Sequence, residues 1–176
     1  GLCYYIFRQS LGGEALFNIG DRVVYPMHGA GVIEAIEEKE ILGARKQYYV
    51  MKIPLGEMKV LIPTDNILQV GLRGVIDKEK VEKVMVVLKG EQPEMSSNWN
   101  CRYRNHLDKI KSGDIFEVAE VVRNLMLRDR EKGLSTGESK MLETARQILI
   151  SELILVQGVE HSEIVSTLDD IFEQES

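Results

Sequence analysis

The most chemically suggestive segment of the chain holds its one tryptophan beside two arginines. Residues 97 to 106 read SNWNCRYRNH, so Trp99 follows a serine and an asparagine and precedes Arg102 and Arg104. Helix N-termini, Ser and Asn side chains and arginines are groups that bind phosphates, and an aromatic ring beside them can stack on bases or wedge between them. The residues also allow a plainer alternative, in which Trp99 packs onto its own domain and the arginines are solvated.

A second basic stretch, residues 123 to 132, mixes cations with acids. It contains Arg123, Arg128, Arg130 and Lys132 together with Asp129 and Glu131. Mixed charges of this kind are typical of a solvated helix end, and basic side chains are favoured near a helix C-terminus. The pattern therefore favours an exposed helix end, and an extension of a DNA-facing surface stays open as the alternative.

The histidines and cysteines are too scattered to predict catalysis. His28, His106 and His161 form no H-E-x-x-H motif and show no carboxylate spacing that would build a metal site. Cys101 has no evident histidine partner, Cys3 lies near the first residue, and no G-x-S-x-G nucleophile motif occurs. We therefore predict that the protein is not an enzyme and has no metal or cofactor.

The glycine-containing segment from His28 to Gly31 resembles a phosphate-binding loop only superficially. It lacks the Lys-Ser/Thr pair of a P-loop, and it leads into a predicted strand, so no helix N-terminus follows it to bind an anion. We interpret this segment as a tight hairpin turn.

The elements that position these residues must come from a chain of 176 residues, of which 44% are hydrophobic. That length suits one large or two small domains. No apolar run approaches the roughly 20 residues that a membrane-spanning helix needs. Two widely separated cysteines indicate neither a disulfide framework nor secretion, so we expect a protein of the reducing cytoplasm.

The net charge of −6 is unevenly distributed along the chain. From Glu152 to Ser176 there are seven acidic residues and no Lys or Arg, so the rest of the chain has a net charge of +1. The acidic total therefore does not exclude a nucleic-acid partner for the preceding part of the chain.

Residues 16 to 70 show a strand-like pattern. Strands are predicted over 21–26, 32–37, 46–53 and 58–62, with turns at 28–31, 41–44 and 54–57. Four or five short strands in about 55 residues indicate a small SH3- or Tudor-like β-barrel, a class that mostly binds partners.

Helical periodicity begins after Gly71. Helices are predicted over 78–89, 98–111, 114–132, 135–157 and 162–172. Ser96 or Ser97 is expected to cap the second of these helices, and Asp114 and Ser135 to cap the next two. Their apolar positions are predicted to form the core of one bundle.

The predicted fold class is therefore α+β, with a small β-barrel followed by an all-α bundle. Residues 1–15 are interpreted as an upstream extension or a cloning remnant, disordered or loosely packed. Residues 16–72 are assigned to the barrel and residues 73–176 to the helical domain.

Two groups of motifs, one in each half of the chain, occur together in a known family. The first runs from Ile19 to Glu37 as I-G-D-x-V-V-Y-P-x-H-G-x-G-x-I-x-x-I-E. The second is S-N-W-x-x-R-Y from Ser97, S-G-D from Ser112 and R-E-K-G-L-S-x-G-E from Arg130. In this order the motifs resemble the CarD/CdnL family of bacterial transcription regulators. The match extends from about Leu16 to Phe172 and places Leu16 where the family's initiator Met normally lies.

The resemblance implies a helical domain that contacts promoter DNA. In the family, the tryptophan that matches Trp99 wedges into the minor groove at the upstream edge of the melted −10 region. Basic residues that match Arg102 and Arg104 support it on the DNA backbone. With Asn98 and Tyr103, these are the predicted DNA-binding residues. A factor that binds the open promoter complex better than the closed one shifts the population toward the open state without catalysis.

The resemblance also implies that the N-terminal module binds the β subunit of RNA polymerase. The family uses a strand-edge face of the barrel for this contact, and Lys39 and Ile41 fall at matching positions. Leu61 stands where some relatives have an arginine, and this departure bears on the strength of the contact. The barrel alone is also similar to the polymerase-binding domain of the transcription-repair coupling factor, whose helicase motifs this chain lacks.

Three hypotheses follow from the sequence. The first is a transcription regulator that bridges polymerase and promoter DNA, expected to be a cytoplasmic bacterial monomer that reaches the nucleoid through polymerase. The second is a protein–protein adaptor whose barrel docks a partner and whose Trp99 is buried. The third is a repressor that binds DNA alone, which a net-acidic chain with a small basic patch disfavours.

Overall fold

The computed structural model describes residues 17–173 and shows an α+β protein, with a five-stranded antiparallel sheet followed by a helical region. The predicted fold class is confirmed. The predicted N-terminal extension, residues 1–15, lies outside the described residues.

Five strands form the sheet. They are β1 (Arg22–Tyr25), β2 (Gly29–Ile41), β3 (Ala44–Lys52), β4 (Lys59–Pro63) and β5 (Arg73–Gly74). Their order across the sheet is β4-β3-β2-β1-β5. The four predicted strands are present, but β2 and β3 are longer than predicted because their pairing continues to Ile41 and Ala44. The turn between them is confirmed, with Leu42 and Gly43 at φ values of 52° and 78°, as the tightest hairpin turns require.

The chain between β4 and β5 is helical, which the strand-like pattern did not predict. A 3₁₀ turn (Thr64–Asn66) leads into the short helix α1 (Ile67–Val70), and Ile67 is buried in the core of the sheet. The following strand, Arg73–Gly74, pairs with β1 and lies just past the domain boundary predicted after residue 72.

One face of the sheet forms a hydrophobic core of its own. Its buried members are Val23, Ile33, Tyr49, Met51, Ile53, Ile62, Ile67 and Leu72. Tyr49 and Met51 alternate with Tyr48 and Val50, whose side chains lie on the other face of the sheet, as the two-residue period of a strand requires. The core fixes the register of β2, β3 and β4, since a one-residue slip would turn these side chains to the other face.

Five longer helices follow the sheet. They are α2 (Lys78–Lys89), α3 (Trp99–Lys111), α4 (Ile115–Lys132), α5 (Thr136–Gln157) and α6 (His161–Glu173). All five were predicted within one residue at each end. Their apolar faces meet in a second core that includes Val84, Val122, Leu149 and Leu168. Within residues 17–173, no helix combines the length and apolarity needed to cross a membrane.

The predicted helix caps are confirmed at two of three positions. Asp114 accepts a hydrogen bond from the Phe116 amide at 2.8 Å, and Ser135 accepts one from the Glu138 amide at 3.2 Å. The expectation that Ser96 or Ser97 caps α3 is wrong, because Asn98 does so. The helix begins one residue later than expected, which makes Asn98 the residue that faces the free amides.

A hairpin turn joins β1 to β2, but it lies at residues 26–28 rather than over the predicted 28–31. Gly29 to Gly31 are already paired with β1, and this start of β2 also touches α5. Gly29 has a φ of +109°, and a Cβ atom there would lie 2.7 Å from the Ser151 hydroxyl. Only a glycine therefore allows this backbone to approach α5 so closely. The amide of Ala30 donates to the same hydroxyl at 2.9 Å, which joins the sheet to the helical region.

Candidate nucleic-acid interface

Trp99 is the first residue of α3 and is 41% exposed. The Asn98 side chain accepts a hydrogen bond from the Cys101 amide at 3.2 Å and so fixes where the helix begins. The cap thereby holds the indole at the end of the helix, where part of the ring is open to solvent. The exposed part of the ring is therefore available for contact with a partner.

The indole has a fixed orientation although it is exposed. Its Nε1–H donates to the Ser135 hydroxyl at 3.1 Å, and the ring stacks on Tyr103 with centroids 4.9 Å apart and planes 20° from parallel. A Cβ atom at Gly137 would lie 3.3 Å from the indole ring. Contacts from α3 and from the start of α5 therefore hold the ring in one pose, with Tyr103 covering one side.

Arg102 does not lie at the surface, which corrects the expectation that it supports the tryptophan on the DNA backbone. The side chain is 5% exposed, and its Nε and Nη2 atoms donate to the two carboxylate oxygens of Glu138, both at 3.1 Å. Its Nη1 donates to the Ser96 carbonyl at 3.1 Å. The physical reason is its position three residues after Trp99, on the face of α3 that packs against α5. A guanidinium bound in this way is not available to a phosphate.

Glu138 is the buried carboxylate at the centre of this arrangement, and it is 2% exposed. Burial acts to raise its pKa, but the hydrogen bonds and charge of Arg102, the charge of Arg128 and the Ser135 hydroxyl together hold that pKa below its ordinary value. The Arg128 Nε lies 3.7 Å from the carboxylate. Glu138 therefore stays ionised and joins α3, α4 and α5 behind the indole.

Exposed cations remain on α3 and in the last turn of α4. Arg104 is exposed on α3. Arg130 and Lys132 are exposed in the last turn of α4, and Ser135 is the third residue after Lys132. Because a chain spans at most about 3.5 Å per residue, the Lys132 backbone lies within about 11 Å of the backbone that holds the indole. The structure thus brings the end of the second basic stretch close to Trp99.

His106 is buried one turn after Arg102 on the same face of α3 and is not placed to bind DNA. Its Nε2 atom lies 3.4 Å from the Asn124 amide, and its Nδ1 is buried with no hydrogen-bond partner among the described residues. Burial lowers its pKa from 6.5 to about 4, against the opposing charge of Glu138. Across residues 17–173, no group of three or more His, Cys, Asp or Glu side chains could hold a metal ion.

The three predicted polymerase-binding residues share one face of the sheet. Leu61 of β4 pairs with Val50, which pairs with Ala35, and alternate residues of β2 place Lys39 and Ile41 on the same side as Ala35. This face is opposite the buried core. Leu61, Lys39 and Ile41 are exposed. Six residues separate Ala35 from Ile41, so the face extends about 20 Å along the hairpin.

Ser135 and Glu138 also belong to the tryptophan site, although the sequence did not predict this. Both were recognised only as a helix cap and its companion, S-x-x-E at the start of α5. The signal that could have found them was the pairing of two motifs, one around Trp99 and one around Ser135, in chains of the same family. Spacing along one chain does not show that two segments 36 residues apart are in contact.

Both halves of the chain match models of known protein families. Residues 17–76 match the family model described as "CarD-like/TRCF RID domain", and residues 83–169 match "CarD, C-terminal domain". The chain is 46% identical over 151 residues to the "Putative transcription factor YdeB" of Bacillus subtilis, a match that covers 86% of this chain and 99% of that relative.

A solved structure also matches the N-terminal half. It is the solution NMR structure of the 72-residue N-terminal domain of Myxococcus xanthus CarD, 30% identical, over 36% of this chain and 84% of that one, with a TM-score of 0.30. The two family models and the near full-length relative together show that this chain belongs to the CarD family of transcription regulators.

Proposed function

We propose that this protein binds the β subunit of RNA polymerase through its sheet and stabilises the open promoter complex with Trp99. The indole would wedge into the minor groove at the upstream edge of the −10 bubble, with no catalytic step. The observation that carries the proposal is an indole 41% exposed at a helix start yet held in one pose by Ser135 and Tyr103.

A fixed ring is suited to act as a wedge. Unstacking DNA costs on the order of a few kcal/mol per step. A side chain already in its bound pose loses little conformational entropy on insertion, so more of its contact free energy is available to offset that cost. If the ring fits only the opened junction, a difference in affinity of about 1.4 kcal/mol raises the ratio of open to closed complex tenfold.

In this proposal the residues around the ring have different roles. Arg104, Arg130 and Lys132 are exposed and able to contact phosphates of the DNA backbone. Asn98 and Tyr103 hold the ring, the first by capping α3 and the second by stacking. Arg102 supports the site from inside the protein through Glu138 rather than from the DNA backbone.

The polymerase contact is proposed on the outer face of the hairpin and on the edge strand β4. An edge strand offers unpaired main-chain groups that can add to a partner's sheet, and side chains on the adjoining face give specificity. Leu61 supplies apolar area there. Lys39 supplies a positive charge, and its Nζ lies 3.5 Å from the Glu37 Oε2 atom in the free protein. The match to a CarD-like/TRCF RID domain supports this assignment.

A regulator of this kind would work as a monomer beside polymerase in the bacterial cytoplasm, and it would reach the nucleoid through that enzyme. It would need no cofactor.

The proposal is tested with polymerase bound either to fork-junction DNA, which mimics the upstream bubble edge, or to fully paired promoter DNA. We expect the wild-type protein to bind the fork complex about tenfold more tightly than the paired one. Trp99→Ala should lose this preference and keep its affinity for polymerase alone. Val86→Ala, which truncates another exposed apolar side chain on α2, is the matched control.

Equal binding of the wild-type and Trp99→Ala proteins to the fork complex would overturn the wedge. If binding to polymerase persisted in that case, the protein would act as an adaptor that docks through its sheet alone.

A further inference from the structure

Helix α5 contains two buried glutamates, one near each end. Glu138 and Glu152 are 2% and 1% exposed, and each forms an ion pair with an arginine from another element. They are 14 residues apart, and at 1.5 Å per residue the helix separates them by about 21 Å. Glu138 lies behind the indole, whereas Glu152 lies against the sheet.

The pair at the sheet end joins several elements at once. Arg73 of β5 donates from Nη2 and Nη1 to the two oxygens of Glu152, at 2.7 and 2.9 Å. The Arg73 Nε donates to the Gly113 carbonyl before α4 at 2.8 Å, and the Ile76 amide donates to Glu152 at 2.9 Å. A bidentate ion pair with these added hydrogen bonds, between a buried carboxylate and a partly buried guanidinium, defines both the distance and the angle between the two side chains.

Other contacts fix the same end of α5 to the sheet. The Arg22 Nη1 donates to the Leu155 carbonyl at 2.5 Å, and the Ala30 amide donates to Ser151 at 2.9 Å. The backbone at Gly29 lies against Ser151 so closely that no side chain fits between them. The sheet is therefore attached to the last turns of α5 by side chains and by main chain.

We propose that Arg73 and Glu152 are positioning residues that lock the sheet to α5, so that docking on polymerase delivers Trp99 to one place on the DNA. This inference rests on the function proposed above. Helix α5 acts as a rod of 22 residues, attached to the sheet at its C-terminal end and to the tryptophan site at its N-terminal end.

A lock of this kind changes the effective concentration of the indole at the bubble edge. If the sheet and the helical region were joined only by a flexible linker, the tethered tryptophan would sample a large volume around its docking point. A rigid connection keeps the local concentration of the indole high, because the orientation of the helical region relative to the sheet is set before the protein binds. Weakening the lock should therefore reduce the effect on the open complex and leave the docking surface intact.

The test is Glu152→Gln, which removes the charge that faces Arg73 but keeps an oxygen for the Ile76 amide. Glu143→Gln makes the same substitution at an exposed position of the same helix and is the matched control. We expect Glu152→Gln to bind polymerase like the wild-type protein but to shorten the open-complex lifetime about fivefold relative to it, the factor that 1 kcal/mol represents. Glu143→Gln should match the wild type in both measurements.

A distance measurement separates positioning from a general loss of stability. Spin labels at Leu42→Cys and Val86→Cys, in a Cys3→Ser, Cys101→Ser background, report the relation between hairpin tip and α2. We expect a narrow distance distribution in the parent and a broader one with Glu152→Gln. If that variant does not fold, Arg73→Lys replaces it, since lysine keeps the charge but loses the bidentate geometry.

The outcomes distinguish this inference from the proposed function. If Trp99→Ala shortens the lifetime while Glu152→Gln leaves both the lifetime and the distance distribution unchanged, the lock is wrong and the wedge stands. A shortened lifetime with an unchanged distribution would also overturn the lock. If Trp99→Ala itself has no effect, the proposed function fails, and a broadened distribution would still support the lock.

Discussion

At the scale of single residues, two neighbouring arginines illustrate how the site is built. Arg102 is buried against Glu138, whereas Arg104, two residues later, is exposed. Both are cations close to Trp99 in the sequence, and composition alone does not separate them. Their spacing on α3 does, because two residues along a helix turn a side chain to a different face.

Removing the buried arginine should destabilise the fold. Arg102→Met would leave the Glu138 carboxylate buried without its main partner, and breaking such a pair typically costs about 3 to 5 kcal/mol. Urea unfolding should show this loss, with little change for Arg104→Met. The double variant Arg102→Met/Glu138→Met should recover part of the stability, since the buried carboxylate is gone and the charge that loses it, on Arg128, is 21% exposed. If Arg102→Met were as stable as the wild-type protein, the stabilising role of the Arg102–Glu138 pair would be contradicted.

At the scale of elements, α3 depends on one side chain for its start. Asn98 accepts the Cys101 amide, and replacing a capping Asn by Ala typically costs about 1 kcal/mol. Asn98→Ala should lower the free energy of unfolding by about that amount and loosen the indole. Asn100→Ala, an exposed asparagine inside the first turn, is the control and should change stability much less. Acrylamide quenching of Trp99 fluorescence should rise in Asn98→Ala only.

The contact between α3 and α4 makes stability depend on pH. His106 is neutral in the fold because burial lowers its pKa to about 4, whereas in the unfolded chain the value is near 6.5. Between these values the unfolded chain binds more protons, so stability falls as pH drops through this window, by up to about 3 kcal/mol. The charges of Lys109, Arg102 and Arg128 also lower the pKa of His106, whereas the charge of Glu138 raises it.

Chemical denaturation from pH 7 to 4.5 isolates this effect, since Glu138, whose pKa is lowered from 4.5, loses its stabilising charge only at more acid pH. His106→Gln should flatten the profile in this range. His161→Gln, at an exposed histidine on α6, is the matched control. A wild-type profile that is flat from pH 6.5 to 4.5 would contradict the burial of a neutral histidine.

How far the elements could be predicted depended on whether the signal was local. Helices α4 and α5 end at 132 and 157 as predicted, each before a glycine, and Asp114 and Ser135 cap their starts, because each of these signals acts within one turn. The α1 helix was missed because four residues are too few to show a helical period. The contact of Ser135 with Trp99 was missed because it is tertiary, and no local pattern encodes which helix end lies beside the indole.

At the scale of the whole molecule, the net charge of −6 limits what the protein does alone. A small basic surface on an acidic chain should bind free duplex weakly and lose that binding as salt rises. Binding to polymerase would therefore supply most of the affinity for the promoter complex, and the exposed cations near Trp99 would add a smaller contribution.

The contribution of Arg104 should appear in the salt dependence of binding to the polymerase–promoter complex. If Arg104 contacts one phosphate, Arg104→Gln should reduce the slope of log K against log salt by about 0.9. The measurement is fluorescence anisotropy from 50 to 200 mM salt, a fourfold range over which one phosphate contact changes affinity about 3.5-fold. Lys78→Gln on α2 serves as the charge-matched control. An unchanged slope for Arg104→Gln would remove Arg104 from the interface.

The most direct test of the central claim is the lifetime of the open complex after challenge with a competitor that traps free polymerase. At saturating protein, we expect the wild type to lengthen the lifetime about tenfold and Trp99→Ala to leave it near the value for polymerase alone. Both proteins should occupy polymerase equally. If Trp99→Ala lengthens the lifetime as much as the wild-type protein does, the indole is not the wedge.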